Sequence, residues 1–397
     1  MSNSTVLSGM RPTGSLHLGH HFGVLKNWLE LQSNYECYFF VADWHALTTD
    51  YEKSKNVSNH TLDIVATWLS VGLDPSQSTI FVQSSIKQHS ELFLLLSMCT
   101  PLSWLERVPT YKETLNTFKD REINTLGFLS YPLLQAADIL IYGADYVPVG
   151  EDQIAHIELA REVARRFNNL YGKDDDFKSK ALNALEKIGS KNSKLYLSWT
   201  KKYQETGDKD ALNSARSLIE NLTNISSRDK SRLEGFIEGS GIMLLNEPQP
   251  LTTKVSKLDG LDGRKMSKSY KNTISLIEED GLLQKKILSM QTDPSRVKKT
   301  DSGDPEKCTV WNLHKIFTEK DTQKTIHNDC RSAKIGCVDC KKILKKKISY
   351  EISPIRDKYH NFKSDQDNLH QILTNGCKKA SEKAEKQVEI VRKAIGL

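Results

Sequence analysis

The sequence predicts an α/β protein: a doubly wound, Rossmann-like parallel sheet, an α-helical C-terminal domain, and a helical insertion between them. Three observations predict it. Up to residue 172, short apolar runs of strand length alternate with runs whose apolar residues recur every three or four positions. From 173 to 240 the chain is rich in Lys, Asp, Ser and Asn yet keeps helical fragments. From about Ile274 it is strongly helical and basic. Strands separated by helices give a parallel sheet whose ligands lie beyond the strands' carboxyl ends.

Val6-Leu7 starts the first strand, which breaks at Ser8-Gly9 and turns at Pro12-Thr13-Gly14. Leu18, Phe22, Leu25 and Leu29 then mark a helix face. Tyr38 to Ala42 reads as a buried strand, Thr61 to Val71 as a helix, Ile80 to Gln83 as a strand and Glu91 to Cys99 as a helix. Pro132 to Tyr142 is an apolar helix, and Val147-Pro148-Val149 is a strand leading into Gly150. Ile154, Ile157, Val163 and Phe167 put one apolar stripe on a helix from about Gln153. Expected boundaries are 1–172 for the first part of the sheet domain, 173–240 for the insertion, 241–273 for a loop-bearing segment and 274–397 for the helical C-terminal domain.

Composition narrows the function classes. The 397 residues are 38% hydrophobic and 27% charged, which excludes a disordered or fibrous chain. No apolar run is long enough to span a membrane, and the first residues lack the pattern of a secretory signal, so a cytoplasmic location is expected. In that reducing compartment the seven cysteines read as thiols or metal ligands. The net charge of +6 is mild. Lys341-Lys342 and Lys345-Lys346-Lys347 form a basic run, which fits either a phosphate contact or a solvated helix face.

Three segments carry candidate chemistry. The first, Met10-Arg11-Pro12-Thr13-Gly14-Ser15-Leu16-His17-Leu18-Gly19-His20, joins a strand end to a helix start. Unpaired N–H groups at that helix start suit phosphate, and His17 and His20, three residues apart, share a face. The second, Gly150-Glu151-Asp152-Gln153, follows a strand, where its acceptors suit ribose hydroxyls or cap a helix. The third, Lys265-Met266-Ser267-Lys268-Ser269, puts two ammonium groups on a loop able to close over a triphosphate.

Four of the cysteines, Cys308, Cys330, Cys337 and Cys340, fall within 33 residues, spaced C-x21-C-x6-C-x2-C. Four thiolates suit either structural Zn²⁺ or a [4Fe–4S] cluster, and the spacing does not choose between them.

Taken in order, HxGH, GEDQ and KMSKS resemble the class I aminoacyl-tRNA synthetases. Ser8-Gly9-Met10-Arg11-Pro12-Thr13-Gly14, Val41-Ala42-Asp43-Trp44-His45-Ala46-Leu47-Thr48, Tyr131 to Leu140 and Val147 to Gln153 are similar to the tryptophanyl-tRNA synthetases of the bacterial type. The resemblance covers roughly 5–172 and 246–397. It implies activation of L-tryptophan by ATP with Mg²⁺, transfer to tRNA(Trp), and a homodimer. It implies phosphate contacts from His17, His20, Lys112, Lys265 and Lys268. It extends the ATP site to Arg11, Pro12, Thr13, Gly19, Gly150, Glu151, Asp152, Gln153, Met266, Ser267 and Ser269. By the same resemblance Asp138 accepts the indole N–H, with Leu7, Tyr131, Gln135, Val147 and Val149 around it. Asp138 lies in the apolar run Ala136 to Leu140, so a buried acid needing a partner is expected there. A subset of these enzymes carries a similar cysteine pattern with a [4Fe–4S] cluster, which favours that cluster over Zn²⁺. It also makes the Lys341–Lys347 run a tRNA backbone contact in an anticodon-reading domain. Other readings are a tyrosyl-tRNA synthetase, an iron–sulfur redox protein and a non-catalytic tRNA-binding paralogue.

Overall fold

The computed structural model describes residues 4–108, 124–172, 176–238, 241–252 and 258–397. Five parallel strands form one sheet: β1 (Thr5–Met10), β2 (Glu36–Val41), β3 (Ser78–Val82), β4 (Tyr146–Val149) and β5 (Gln249–Thr252), in the order β3-β2-β1-β4-β5. β1 and β2 run in register from Thr5 opposite Glu36 to Met10 opposite Val41. The strand order reverses between β1 and β4, and a parallel sheet opens a crevice at that point, beyond the strand ends. The short edge strand β5, with a Gln and a Pro in four residues, has no apolar run that would announce it in the sequence.

Alternation along the strands builds two cores. Val6, Cys37, Phe39, Val41 and Ile80 face one side, and Leu7, Tyr38, Phe40 and Phe81 face the other. On the first side lies α1, which runs Leu18–His20, widens into a π-turn at His21–Leu25 and ends as Lys26–Leu31. After α2 (Asp43–Asp50), α3 (Lys55–Val71) packs on that side through Ile64, Val65 and Trp68. The second side holds α4 (Gln88–Ser97), then α5 (Leu102–Glu106), α6 (Leu126–Leu140) and α7 (Ile154–Tyr171). α6 begins well before Pro132, which lies inside it.

Within 173–240, α8 (Phe177–Lys187), α9 (Ser190–Thr206), α10 (Lys209–Glu220) and α11 (Ser227–Ile237) enclose a small core of their own around Tyr196, Leu212, Ile219 and Leu233. The C-terminal region adds α12 (Asp280–Ser289), α13 (Thr309–Phe317), α14 (Lys320–Arg331) and two long helices, α15 (Cys337–Ser364) and α16 (Gln366–Ile395). α16 covers the exposed edge at β3. Its Leu369 and Leu373 join the first core, whereas Ala380, Ala384, Val388 and Val391 join the second. Between those stretches Gly376 passes over the strand, where a Cβ would stand 1.8 Å from the carbonyl oxygen of Ile80.

Candidate active site

Two cavities meet at the carboxyl ends of β1 and β4. The first, about 360 Å³, is lined by Leu7 to Arg11 from β1 and its exit, Val147 to Gly150 and Gln153 from β4 and its exit, and Tyr131, Gln135, Asp138 and Ile139 from α6. His20 and Val24 of α1 line it too, and also line the second cavity of about 600 Å³. That second space is closed by Thr13, His17, Gly19, Gly23, Leu258, Lys265, Met266, Ser267, Lys268 and Tyr270. The HxGH, GEDQ and KMSKS segments, far apart in sequence, thus border one connected crevice. Pro12, Glu151, Asp152 and Ser269 belong to the same segments but line neither cavity. Lys112 lies outside the described residues.

The histidine motif is held from two sides. Ser275 pairs with His17 in a short antiparallel bridge, with Leu18 N–H donating to Ile274 O at 3.0 Å and Leu276 N–H to Leu16 O at 3.0 Å. Gly14, at φ 103°, makes the turn that precedes it. The His17 N–H donates to His20 Nδ1 at 3.2 Å, so the hydrogen of a neutral His20 ring sits on Nε2. Burial, with Lys268 close by, depresses His17 to about 4. Burial, then His17 and Lys268, depresses His20 to about 3. Both rings are neutral near pH 7 and act as hydrogen-bond donors, not as cations.

The lysine loop is docked on that motif. Lys268 Nζ donates to the carbonyls of Thr13 at 3.2 Å and Gly14 at 2.9 Å. Met266 is buried in the first core and anchors the loop. Asn272 shapes it from behind: its Oδ1 accepts the Ser267 N–H at 2.8 Å, and its Nδ2 donates to Asp262 at 2.7 Å. Arg11, on the opposite rim, donates to the carbonyl of Ala46 at 3.4 Å and to the hydroxyl of Thr49, with Asp50 at 3.8 Å.

Asp138 is 1% exposed and sits at the apolar end of the first cavity. Its Oδ2 is 2.7 Å from His45 Nε2 and its Oδ1 is 2.6 Å from His89 Nδ1, while Gln83 Nε2 donates to both oxygens at 2.9 Å. Burial alone would raise its pKa; the hydrogen bonds from His45 and His89 outweigh it and hold the carboxyl below its ordinary value. Asp138 is therefore a carboxylate, an acceptor with no hydrogen to give. Tyr131, on the cavity wall, has its hydroxyl 2.9 Å from His156 Nε2. The partners His45, Gln83, His89, His156 and Asn272 escaped the sequence reading. Gln83 directly follows β3, and polar residues just past parallel strand ends are the signal that would have flagged it.

The four clustered cysteines lie at or on the C-terminal helices and line neither cavity. Cys308 immediately precedes α13, Cys330 ends α14, and Cys337 and Cys340 open α15. Burial, then the charges of the other three cysteines, pushes Cys340 up to about 12. Arg296 Nη1 donates to Cys330 Sγ at 3.7 Å, and His314 Nε2 is 3.3 Å from Cys340 Sγ. Among the described residues no three His, Cys, Asp or Glu side chains are placed to hold a single metal ion. Lys341 departs from the basic run around it. It is buried and caps α12, donating to the carbonyls of Leu288 and Met290, each at 2.7 Å.

A family model described as class I tRNA synthetases (W and Y) matches residues 1–197 and 208–353. The chain is 51% identical over 392 residues to a tryptophan–tRNA ligase of Ralstonia nicotianae, covering 99% of this chain and 98% of that one. It is 42% identical over 394 residues to the tryptophan–tRNA ligase of Thermotoga maritima, covering 99% of each. Among solved structures it resembles tryptophanyl-tRNA synthetase from Campylobacter jejuni complexed with ADP and tryptophan. There the TM-score is 0.75 at 28% identity, over 99% of this chain and all of that one. With full-length relatives at this identity and the family's three motifs drawn around one crevice, the chain belongs to the class I tRNA synthetases, in the tryptophan and tyrosine (W and Y) family.

Proposed function

We infer that the chain is a tryptophan–tRNA ligase. It joins L-tryptophan to ATP as tryptophanyl-adenylate with release of pyrophosphate, then passes the tryptophanyl group to tRNA(Trp). The observation that carries this reading is Asp138, a buried carboxylate kept ionised at the apolar end of a cavity adjoining the histidine–lysine crevice. An indole offers one N–H donor and no acceptor, and an acceptor-only carboxylate in an apolar wall complements both properties. A charge-assisted hydrogen bond of this kind contributes about 1.5–3 kcal/mol.

The attacking tryptophan carboxylate is already an anion, so the first step needs alignment and charge stabilisation more than a base. Tryptophan sits between Asp138 and Tyr131, with its carboxylate toward the mouth shared with the second cavity. His17 and His20 donate neutral N–H groups to phosphate oxygens there, and Lys265 and Lys268 neutralise the charge that grows on the departing pyrophosphate. Among the described residues no Asp or Glu lines the second cavity, so a Mg²⁺ ion accompanying ATP would draw few ligands from the protein there and would supply charge neutralisation on the phosphates.

Three further parts of the reading rest on separate features. Burial, with the charges of the neighbouring cysteines, raises the thiols of Cys330 and Cys340, and a positive centre would compensate them, which supports a [4Fe–4S] cluster held by Cys308, Cys330, Cys337 and Cys340, with Zn²⁺ as the alternative outcome. Its work is to pin α13, α14 and α15 together. A groove of about 460 Å³ lined by Trp44, Leu47, Tyr51, Phe93 and Leu134, next to exposed Leu94 and Leu126, supports a homodimer through this face. Lys345 and Lys346, in a groove of about 730 Å³ with exposed Tyr350, support a tRNA contact on α15. Among the described residues no helix is long and apolar enough to cross a membrane.

The deciding experiment is ATP–pyrophosphate exchange with tryptophan and with tyrosine in separate assays. Exchange with tryptophan at least a hundredfold more efficient supports the reading; preference for tyrosine, or exchange with neither, overturns it.

A further inference from the structure

The first cavity touches only one side of Asp138. Asp138 and His45 line the space, whereas Gln83, His89 and Tyr142 approach from behind and do not. His89 is fully buried on α4, its ring packed against Phe40, Phe81 and Tyr142. Its Nδ1 meets Asp138 Oδ1 at 2.6 Å and its Nε2 meets the Tyr142 hydroxyl at 2.8 Å. Tyr142 is itself buried and stacked on Tyr38, and burial, with the charge of Asp138, keeps its phenol protonated. It has one hydrogen to give. Given to His89 Nε2, it makes Nδ1 the ring nitrogen that carries a hydrogen, facing the carboxylate.

The element carrying His89 is fixed from outside. Gln88 donates to Glu385 of α16 at 2.6 Å, and Arg392 of α16 grips both oxygens of Glu91 at 2.6 Å. His89 therefore meets Asp138 from a clamped helix, and with His45 and Gln83 it fixes the orientation of the carboxylate.

We propose that His89, with its tautomer set by Tyr142, is a positioning residue for tryptophan recognition: it keeps Asp138 unprotonated and turned toward the cavity. The proposal rests on reading Asp138 as the acceptor for the indole N–H. The titratable groups around Asp138 are His45 from α2, His89 from α4, Tyr131 on α6 itself, Tyr142 just beyond it and, past Tyr142, Tyr38 of β2 and Cys377 of α16. Of these only His45 and His89 donate to the carboxylate. Without His89, burial weighs more heavily on Asp138, which then takes up a proton at a higher pH and loses its acceptor role as the solution is acidified.

The test uses the full-length chain in ATP–pyrophosphate exchange, with KM for tryptophan, KM for ATP and kcat measured from about pH 6 to about pH 8.5. His89→Leu raises KM for tryptophan roughly tenfold or more, with KM for ATP and kcat within about twofold, and that KM worsens further as pH falls. His89→Asn, which keeps an N–H near the place of Nδ1, recovers most of the loss. Tyr142→Phe, which keeps the packing but frees the tautomer, gives a smaller rise of the same kind. If His89→Leu moves both KM values together, if His89→Asn is no better than His89→Leu, or if KM for tryptophan keeps its wild-type pH profile, the proposal fails. Asp138→Asn separates the two levels. Should it leave KM for tryptophan unchanged, the reading of Asp138 itself fails. Should it raise KM while His89→Leu and Tyr142→Phe do not, only the role of His89 fails.

Discussion

Lys268 Nζ lies 2.9 Å from the carbonyl oxygen of Gly14, so two segments 254 positions apart in sequence meet in one hydrogen bond. The contact holds the lysine loop against the turn that precedes the histidine motif. It places an ammonium within reach of the two neutral histidines, and the same burial that makes the contact tight pulls Lys268 down to about 8.

From this follows a dependence on pH. The ammonium is complete well below pH 8 and is lost as pH rises through about 8, so kcat/KM for ATP in the exchange reaction declines on the alkaline side. Lys268→Arg keeps its charge at every accessible pH and removes that alkaline limb. Lys268→Met lowers exchange by about a hundredfold across the range. An alkaline limb that persists in the Arg variant assigns it to another group.

A second expectation concerns the histidines. Because His17 and His20 are held at about 4 and about 3, neither gains a proton between pH 5 and pH 7, and the acid side of the exchange profile shows no step near 6.5 from them. His20→Gln keeps an N–H donor near Nε2 and retains more activity than His20→Ala, which falls by about a hundredfold. Equal losses in the two variants exclude a donor role for Nε2.

The central part of this site was legible because its residues are contiguous. HxGH, GEDQ and KMSKS each hold a short string in place, and the alternation of apolar runs placed the first two at strand ends. The partners of Asp138 were not legible. His45, Gln83 and His89 come from three different segments with no shared spacing, and only the fold brings them to one carboxylate. β5 was missed because four residues with one Pro carry no periodic signal. The covering of β3 by α16 was missed for a related reason: Gly376, Ala380 and Ala384 show a small-residue face but not what it lies on.

That covering gives a stability prediction. Gly376→Ala sets a methyl 1.8 Å from the Ile80 carbonyl oxygen, a backbone atom in the edge strand that has no room to yield. Helix and strand must separate, at a cost of about 2–4 kcal/mol, read as a lower midpoint in urea or heat. Gly281→Ala, in the first turn of α12 with nothing within 4 Å of the new Cβ, is the control and is neutral or slightly stabilising. Equal midpoints for the two variants remove the packing argument.

The cysteines give the last. The cluster proposed at Cys308, Cys330, Cys337 and Cys340 would contribute to folding through those residues, and none of the four lines either cavity. Protein purified without oxygen is expected to hold about four irons per chain with a broad visible absorbance, and Cys340→Ser to lose most of both. The same substitution lowers the thermal midpoint of the C-terminal helices, since α13, α14 and α15 lose their common tie. Tryptophan-dependent exchange, built on β1, β4, α6 and the lysine loop, stays within about twofold at a temperature where the variant is folded. On the proposed tRNA contact at Lys345 and Lys346, charging of tRNA falls more than exchange does, because those lysines lie on the helix that Cys337 and Cys340 open. Stoichiometric zinc in place of iron corrects the metal and leaves the structural role standing. Wild-type protein that is fully stable with neither metal shows that the thiols tie nothing together.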